Sequence, residues 1–139
     1  MRHLRLLICL FALAAAACGT DVRRHGTIDQ SAKVMVVPAG GEGLLGGVKD
    51  GLRQDGWTLV VGRGSVRSDP APGALLRPDI PPRYSLSIEA TRIDSCITSQ
   101  LYAYSIAVID NESGTEVLTL SGNECGLTIV RKLREALRG

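Results

Sequence analysis

The chain has 139 residues, 45% of them hydrophobic, with 16 basic and 14 acidic side chains and a formal net charge of +2. This length is enough for one small domain with a modest core. The near-balance of charge gives no broad electrostatic attraction for a phosphate backbone, so nucleic acid is not an expected partner.

The first seventeen residues have the parts of a bacterial export signal. A positive start containing Arg2 and Arg5 precedes an uncharged apolar run over residues 6–17. This run is too short to cross a bilayer as a helix, which takes about 20 apolar residues. The end of this run and the next residue, AAAC over residues 15–18, resemble the lipobox of bacterial lipoproteins, whose cysteine becomes the acylated N-terminus. We predict removal of residues 1–17 and lipidation of Cys18; the alternative is an ordinary secretory signal with an idle cysteine.

A lipidated Cys18 would make membrane lipid the first partner of the protein. Two or three acyl chains give stable anchoring, because each buried methylene contributes about 0.8 kcal/mol. Gly19 follows the cysteine in place of aspartate, which resembles the signal for sorting to the outer membrane. The signal takes two of the sixteen basic residues and none of the fourteen acidic ones. The mature chain is therefore expected to be electrically balanced and to face the periplasm.

The mature chain begins with a polar segment and continues with a β-α-β pattern. Residues 18–32 have no sustained periodicity and predict a lipidated, flexible tether. The β-branched run 33–37 indicates a buried strand, apolar residues at helical spacing over 44–52 indicate a helix, and WTLVV over 57–61 indicates a second strand. Such a crossover joins two parallel strands.

The loop before this helix contains GxGxxG, with its glycines at Gly41, Gly43 and Gly46. After a strand and at the start of a helix, the pattern is typical of dinucleotide-binding loops, in which the backbone approaches a pyrophosphate. The acidic residue that such sites need at the end of the second strand is absent, since Gly62 and Arg63 stand there. We predict a structural loop and no cofactor. The alternative is a nucleotide-binding loop, in which the three glycines would be the cofactor-binding residues.

The second half of the chain indicates three more strands and a closing helix. Residues 62–83 hold five of the six prolines and predict a long irregular connection. Alternating residues 84–91, the bulkier run 101–109 and residues 116–121 predict the third, fourth and fifth strands. Apolar residues at helical spacing over 127–137 predict an amphipathic helix.

Four cysteines are present, and two of them remain for the fold. Cys9 leaves with the signal and Cys18 takes the lipid. Cys96 and Cys125 form an even pair in an oxidising compartment, so we predict a disulfide between them. The alternatives are two reduced thiols or a metal pair. Zinc is disfavoured by the long spacing and by the location of His25, the one histidine of the mature chain, in the tether.

These elements predict an α+β fold with an α/β-like start, one β-α-β-β-β-α domain over residues 33–139. The sheet is expected to be mixed, with both helices on one face. This order behind a lipobox resembles small periplasmic lipoprotein domains, namely the curli-secretion lipoprotein, the lipoprotein activators of penicillin-binding proteins and the amino-terminal domain of TolB. The segments that carry the resemblance are KVMVVP, WTLVV, YSLSIEA, LYAYSIAVID and EVLTLSG. The resemblance implies protein contacts in envelope assembly and no enzymatic activity.

No catalytic constellation stands out in the sequence. There is no nucleophile motif, and the four carboxylates of Glu89, Asp94, Asp110 and Glu124 are not placed together by any spacing. We predict a non-catalytic binding or assembly module of the envelope that holds a protein partner through a sheet edge or the proline-rich segment. The alternatives are a small-ligand or nucleotide-binding domain that uses the loop 40–46, and a structural lipoprotein with no dedicated ligand.

Overall fold

The computed structural model describes residues 20–62 and 82–139. The predicted signal, Cys18 and nearly all of the proline-rich connection lie outside these residues. In the described part, six strands and two helices follow one another in this order: β1 (Asp21–Arg24), β2 (Val34–Pro38), α1 (Gly43–Gln54), β3 (Thr58–Gly62), β4 (Tyr84–Ser95), β5 (Gln100–Asp110), β6 (Thr115–Cys125) and α2 (Gly126–Arg138). The fold is α+β.

The strands form one mixed sheet in the order β1-β6-β5-β4-β2-β3. β2 is parallel to β3 and to β4, with Val36 opposite Val60 and Ser85. The remaining pairs are antiparallel, and β4, β5 and β6 form two long consecutive hairpins. The β2-α1-β3 crossover therefore confirms the predicted parallel β-α-β unit.

The predicted element order, β-α-β-β-β-α, is wrong in two respects. First, it contains four strands, one fewer than the five segments in which the sequence predicts a strand. Second, it lacks β1, which lies inside the segment predicted as a flexible tether. All four side chains of β1 are exposed, so DVRR has no apolar alternation by which a strand could be recognised. Its position comes from backbone pairing with residues 118–121 of β6.

The core lies between one face of the sheet and the two helices. The helices approach closely because α1 has a glycine at their contact: a Cβ on Gly51 would lie 2.9 Å from side-chain atoms of Val130 and Arg134. Trp57 packs edge-on against Tyr84, with 5.9 Å between ring centroids. The fully buried side chains are contributed by both helices and by strands β2, β4, β5 and β6, as follows: Met35, Val37, Val48, Leu52, Tyr84, Ile106, Val108, Leu118, Leu120, Ile129, Leu133 and Leu137.

Candidate functional site

One end of the sheet is closed by a disulfide between Cys96 and Cys125, as predicted from the sequence. Their Cα atoms are 6.0 Å apart. Cys96 lies in the turn between β4 and β5, which is closed by its N–H donating to the carbonyl of Ser99 at 2.8 Å. Cys125 ends β6 and directly precedes α2. The bridge therefore joins the start of α2 to the β4–β5 turn, and we call this region the disulfide end.

The first described residue, Thr20, is bound near the same end. The Lys132 ammonium donates to the Thr20 hydroxyl at 2.8 Å and also to the Glu124 carboxylate. The Tyr104 hydroxyl lies 3.4 Å from that carboxylate and 3.5 Å from the Thr20 hydroxyl. Burial raises the pKa of Glu124, but the hydrogen bonds from Lys132 and Thr20 outweigh it and lower the pKa overall. A partly buried ion pair thus holds the start of the described chain against β6 and α2.

Three exposed apolar side chains lie within three residues of a disulfide cysteine in the sequence. Ile97, directly after Cys96, is fully exposed, whereas Leu127, two residues after Cys125, exposes 61% of its surface and Ile93 exposes 49%. Only five large apolar side chains of the described residues are exposed, and these are three of them. Single exposed apolar residues are ordinary in folded proteins, but a local concentration indicates a contact surface. The exposure of these three residues could not be predicted from the sequence, because apolar residues in strands and helices are usually buried.

The glycines of the GxGxxG pattern have packing and conformational roles in this fold. A Cβ on Gly46 would lie 2.2 Å from the carbonyl oxygen of Gly41, so only glycine permits this close approach of loop and helix. Gly43 has a φ of +58°, a left-handed conformation that favours glycine. The buried ammonium of Lys49 donates to the carbonyl of Gly40. The carbonyl oxygens of Gly40 and Gly41 therefore face α1.

The surroundings of this loop also differ from those of a nucleotide site. A depression of about 410 Å³ beside the loop is lined mainly by apolar groups, including Leu45, Ile88 and Tyr102, and by the acidic Glu42. Such a lining is complementary to an apolar group rather than to a phosphate. At the end of β3, a Cβ on Gly62 would lie 2.4 Å from Cγ1 of Val36, so glycine has a packing role here too.

Two of the four carboxylates singled out in the sequence, Asp110 and Glu124, are not brought together as a pair. Asp110 accepts two hydrogen bonds from Arg83, at 3.0 and 2.8 Å, and these hydrogen bonds lower its pKa. Asp110 ends β5, whereas Glu124 lies opposite Tyr102 near the start of β5, so the two acids are at opposite ends of the sheet. Both are engaged in ion pairs between elements, and the arrangement joins parts of the fold.

The two edge strands of the described sheet differ in charge. β1 carries three charged residues along its edge, with Asp21 and Arg23 paired at 2.6 Å. β3, with the sequence TLVVG, carries none, and Val61 exposes 60% of its surface. The N–H of Thr58 donates to Lys33 just before β2. Since peptide groups alternate in direction along a strand, the N–H and C=O groups of Leu59 and Val61 point away from β2.

Among residues 20–62 and 82–139, no group of three or more histidine, cysteine, aspartate or glutamate side chains could hold a metal ion. Neither described helix is long and apolar enough to cross a membrane.

No protein-family model matches the chain, and no curated protein matches it. Among solved structures it is similar to the PelC dodecamer from Paraburkholderia phytofirmans in two crystal forms, one of them carrying a Leu-to-Met substitution. The identities are 14% and 13%, the TM-score is 0.45 for both, and each alignment covers 86% of this chain and 94% of the PelC chain. A likeness this distant carries no information about what the present chain binds.

Proposed function

We propose that this chain is a lipoprotein of the bacterial cell envelope, held in the outer membrane by acyl chains on Cys18 and facing the periplasm. Its domain is a non-catalytic module that binds an envelope protein. Support for the location comes from the export signal and the lipobox-like AAAC. The acids Asp110 and Glu124 are engaged in ion pairs that join elements of the fold, which is consistent with a structural role for both.

The observation that carries the binding role is the uncharged edge strand β3. Charged residues are a common protection of natural sheet edges against pairing. β1 has this protection in its charged residues, and β3 lacks charge entirely. The outward backbone groups of Leu59 and Val61 form a template on which an extended segment of another protein can pair as an additional strand. We therefore propose β-strand addition at β3 as the mode of partner binding.

The structure suggests a variant that separates pairing from folding. Val61→Pro removes an N–H that points outward, so the hydrogen bonds between β3 and β2 remain, and proline is tolerated in edge strands in this orientation. Val61→Thr keeps the N–H and the β-branched shape, and it is the matched control. Both variants should fold, which far-ultraviolet circular dichroism and thermal unfolding would establish before any binding is measured.

The binding experiment is a crosslinking pull-down from intact envelopes. We expect a photoreactive residue at position 59 to capture a protein partner in the parent chain and in Val61→Thr, and to lose at least tenfold of that product in Val61→Pro. A photoreactive residue at Val22, on the charged edge, is the negative control. Equal capture by the proline and threonine variants, or no reproducible partner, would refute binding at this edge.

The membrane anchor is tested separately by Cys18→Ser. We expect the variant to leave the membrane fraction on cell fractionation, because the lipid is the proposed attachment. A variant that stays bound to the membrane would show that Cys18 is not the anchor.

A further inference from the structure

We infer that the disulfide end contacts the lipid bilayer directly, with Ile97 and Leu127 entering the interface between head groups and acyl chains. This inference rests on the proposed lipidation of Cys18 and adds an orientation of the domain on the membrane.

The entry point of the chain limits the distance to the membrane. Cys18 is only two residues before Thr20, and two residues of extended chain span at most about 7 Å. Thr20 is bound to Lys132. Asp21 pairs with Ser121, four residues before the end of β6 at Cys125. The polar segment predicted to be a tether therefore provides little free length, and the acyl chains would enter the bilayer near the disulfide end.

The groups exposed at this end suit a lipid surface. Ile97 is held out at the tip of the β4–β5 hairpin, and Leu127 is in the first turn of α2, on the two sides of one disulfide. The disulfide braces the backbone next to both residues, which limits the backbone order that must be gained when they enter the interface. An apolar side chain at the interface gains the same hydrophobic stabilisation that holds amphipathic anchors on a membrane.

The charges near this end indicate that the contact is apolar rather than electrostatic. On β4, Arg92 and Asp94 are both exposed and of opposite sign. On α2, Arg131 is paired with Glu135 at 3.1 Å, and Lys132 is paired with Glu124. These groups balance in sign, so the described residues at this end offer no excess of positive charge to attract anionic head groups. The contact is therefore expected to form on neutral lipid and to be insensitive to salt.

The test uses the mature, lipidated protein reconstituted into vesicles of phosphatidylcholine. The chain has a single tryptophan, Trp57, which is 5% exposed and gives a constant background. Ile97→Trp adds a reporter at the tip, and Val61→Trp is the matched control at another exposed apolar site. Val61 lies opposite Val37 of β2, and β2 pairs with the first residues of β4. Ile97 lies just after the end of β4, so most of the length of β4 separates Val61 from Ile97.

We expect the emission of Ile97→Trp to shift to shorter wavelength on reconstitution. We also expect lipids brominated on their acyl chains to quench it at least threefold more strongly than Val61→Trp, with no change on adding salt. Leu127→Asp in the Ile97→Trp background should reduce that quenching. These substitutions are at exposed positions, so folding should be preserved.

Three results would overturn the inference, and they are distinguishable. Equal quenching of the two reporters in protein that floats with the vesicles would leave the anchor intact and refute the orientation. Failure of the lipidated protein to float would refute the anchor on which the inference rests. A photoreactive group at Ile97 that crosslinks to a protein in intact envelopes, and not to phospholipid, would identify a protein as the occupant of this surface.

Discussion

Replacement of both Cys96 and Cys125 by serine removes a cross-link between residues 29 apart in the chain. In the chain-entropy relation, a closed loop of this size restricts the unfolded state by about 3.6 kcal/mol at 25 °C. A domain of this length has an unfolding entropy of about 0.25 kcal/mol per kelvin, so the melting temperature should fall by about 14 °C. The closed loop contains the whole β5–β6 hairpin. Because a cross-link acts mainly by restricting the unfolded chain, most of the lost stability is expected to arise there.

The assay is equilibrium unfolding in urea of a non-lipidated form that carries Cys18→Ser. The serine pair should lower the midpoint and raise the dependence of the unfolding free energy on urea, because the unfolded chain exposes more surface without its cross-link. Reduction of the unaltered bridge should give the same loss. Amide exchange should accelerate first near the β4–β5 turn and in the first turn of α2. A loss below about 1 kcal/mol with an unchanged urea dependence would refute the entropic reasoning.

Three further predictions concern contacts inside the fold. Asp55→Asn should destabilise the protein by about 1–3 kcal/mol at neutral pH, because the carboxylate accepts two hydrogen bonds from Arg134. The hydrogen bond from Arg134 lowers the pKa of Asp55. This stabilisation is therefore present above about pH 4 and is lost as the pH falls through the folded-state pKa. The unfolding curves of the parent and the variant should converge in acid. Gly46→Ala should destabilise the protein by about 1–3 kcal/mol, because its Cβ would clash with the carbonyl of Gly41. The control is Gly47→Ala, whose Cβ would lie 3.4 Å from Val130 and which should stabilise the protein by up to about 1 kcal/mol through helix propensity. Equal effects of the two variants in thermal unfolding would contradict this reasoning. Tyr84→Phe should cost about 1 kcal/mol in urea unfolding, because the hydroxyl accepts the N–H of Asp29 at 2.8 Å, and no loss would show that water replaces it.

The elements with an apolar period could be predicted from the sequence. The observed bounds of α1, Gly43–Gln54, and of β2, Val34–Pro38, differ from the predicted ones by one or two residues. Both bury one face, so their side chains repeat with the period of the structure. The disulfide was predicted by different reasoning, from the redox compartment that the export signal implies.

The exposed elements could not be predicted in this way. β1 and the ends of β4 and β6, from Arg92 to Ser95 and from Ser121 to Cys125, bury few side chains and are held by backbone pairing. Backbone groups are the same at every residue, so such strands leave no pattern in the sequence. The Thr20 contact with Lys132 spans 112 residues, and the uncharged edge of β3 becomes an edge only through the strand order. Both depend on long-range pairing.

The position of β1 also affects the order in which the protein can assemble. Asp21 pairs with Ser121, and Thr20 bonds to a side chain of the last helix, so the earliest described residues contact some of the latest. Closing so long a loop is entropically unfavourable until the intervening hairpins are in place. β1 should therefore be the last strand to join the sheet. If the chain is cleaved before Cys18 and acylated there as proposed, this order gives those reactions time to occur before β1 pairs with β6.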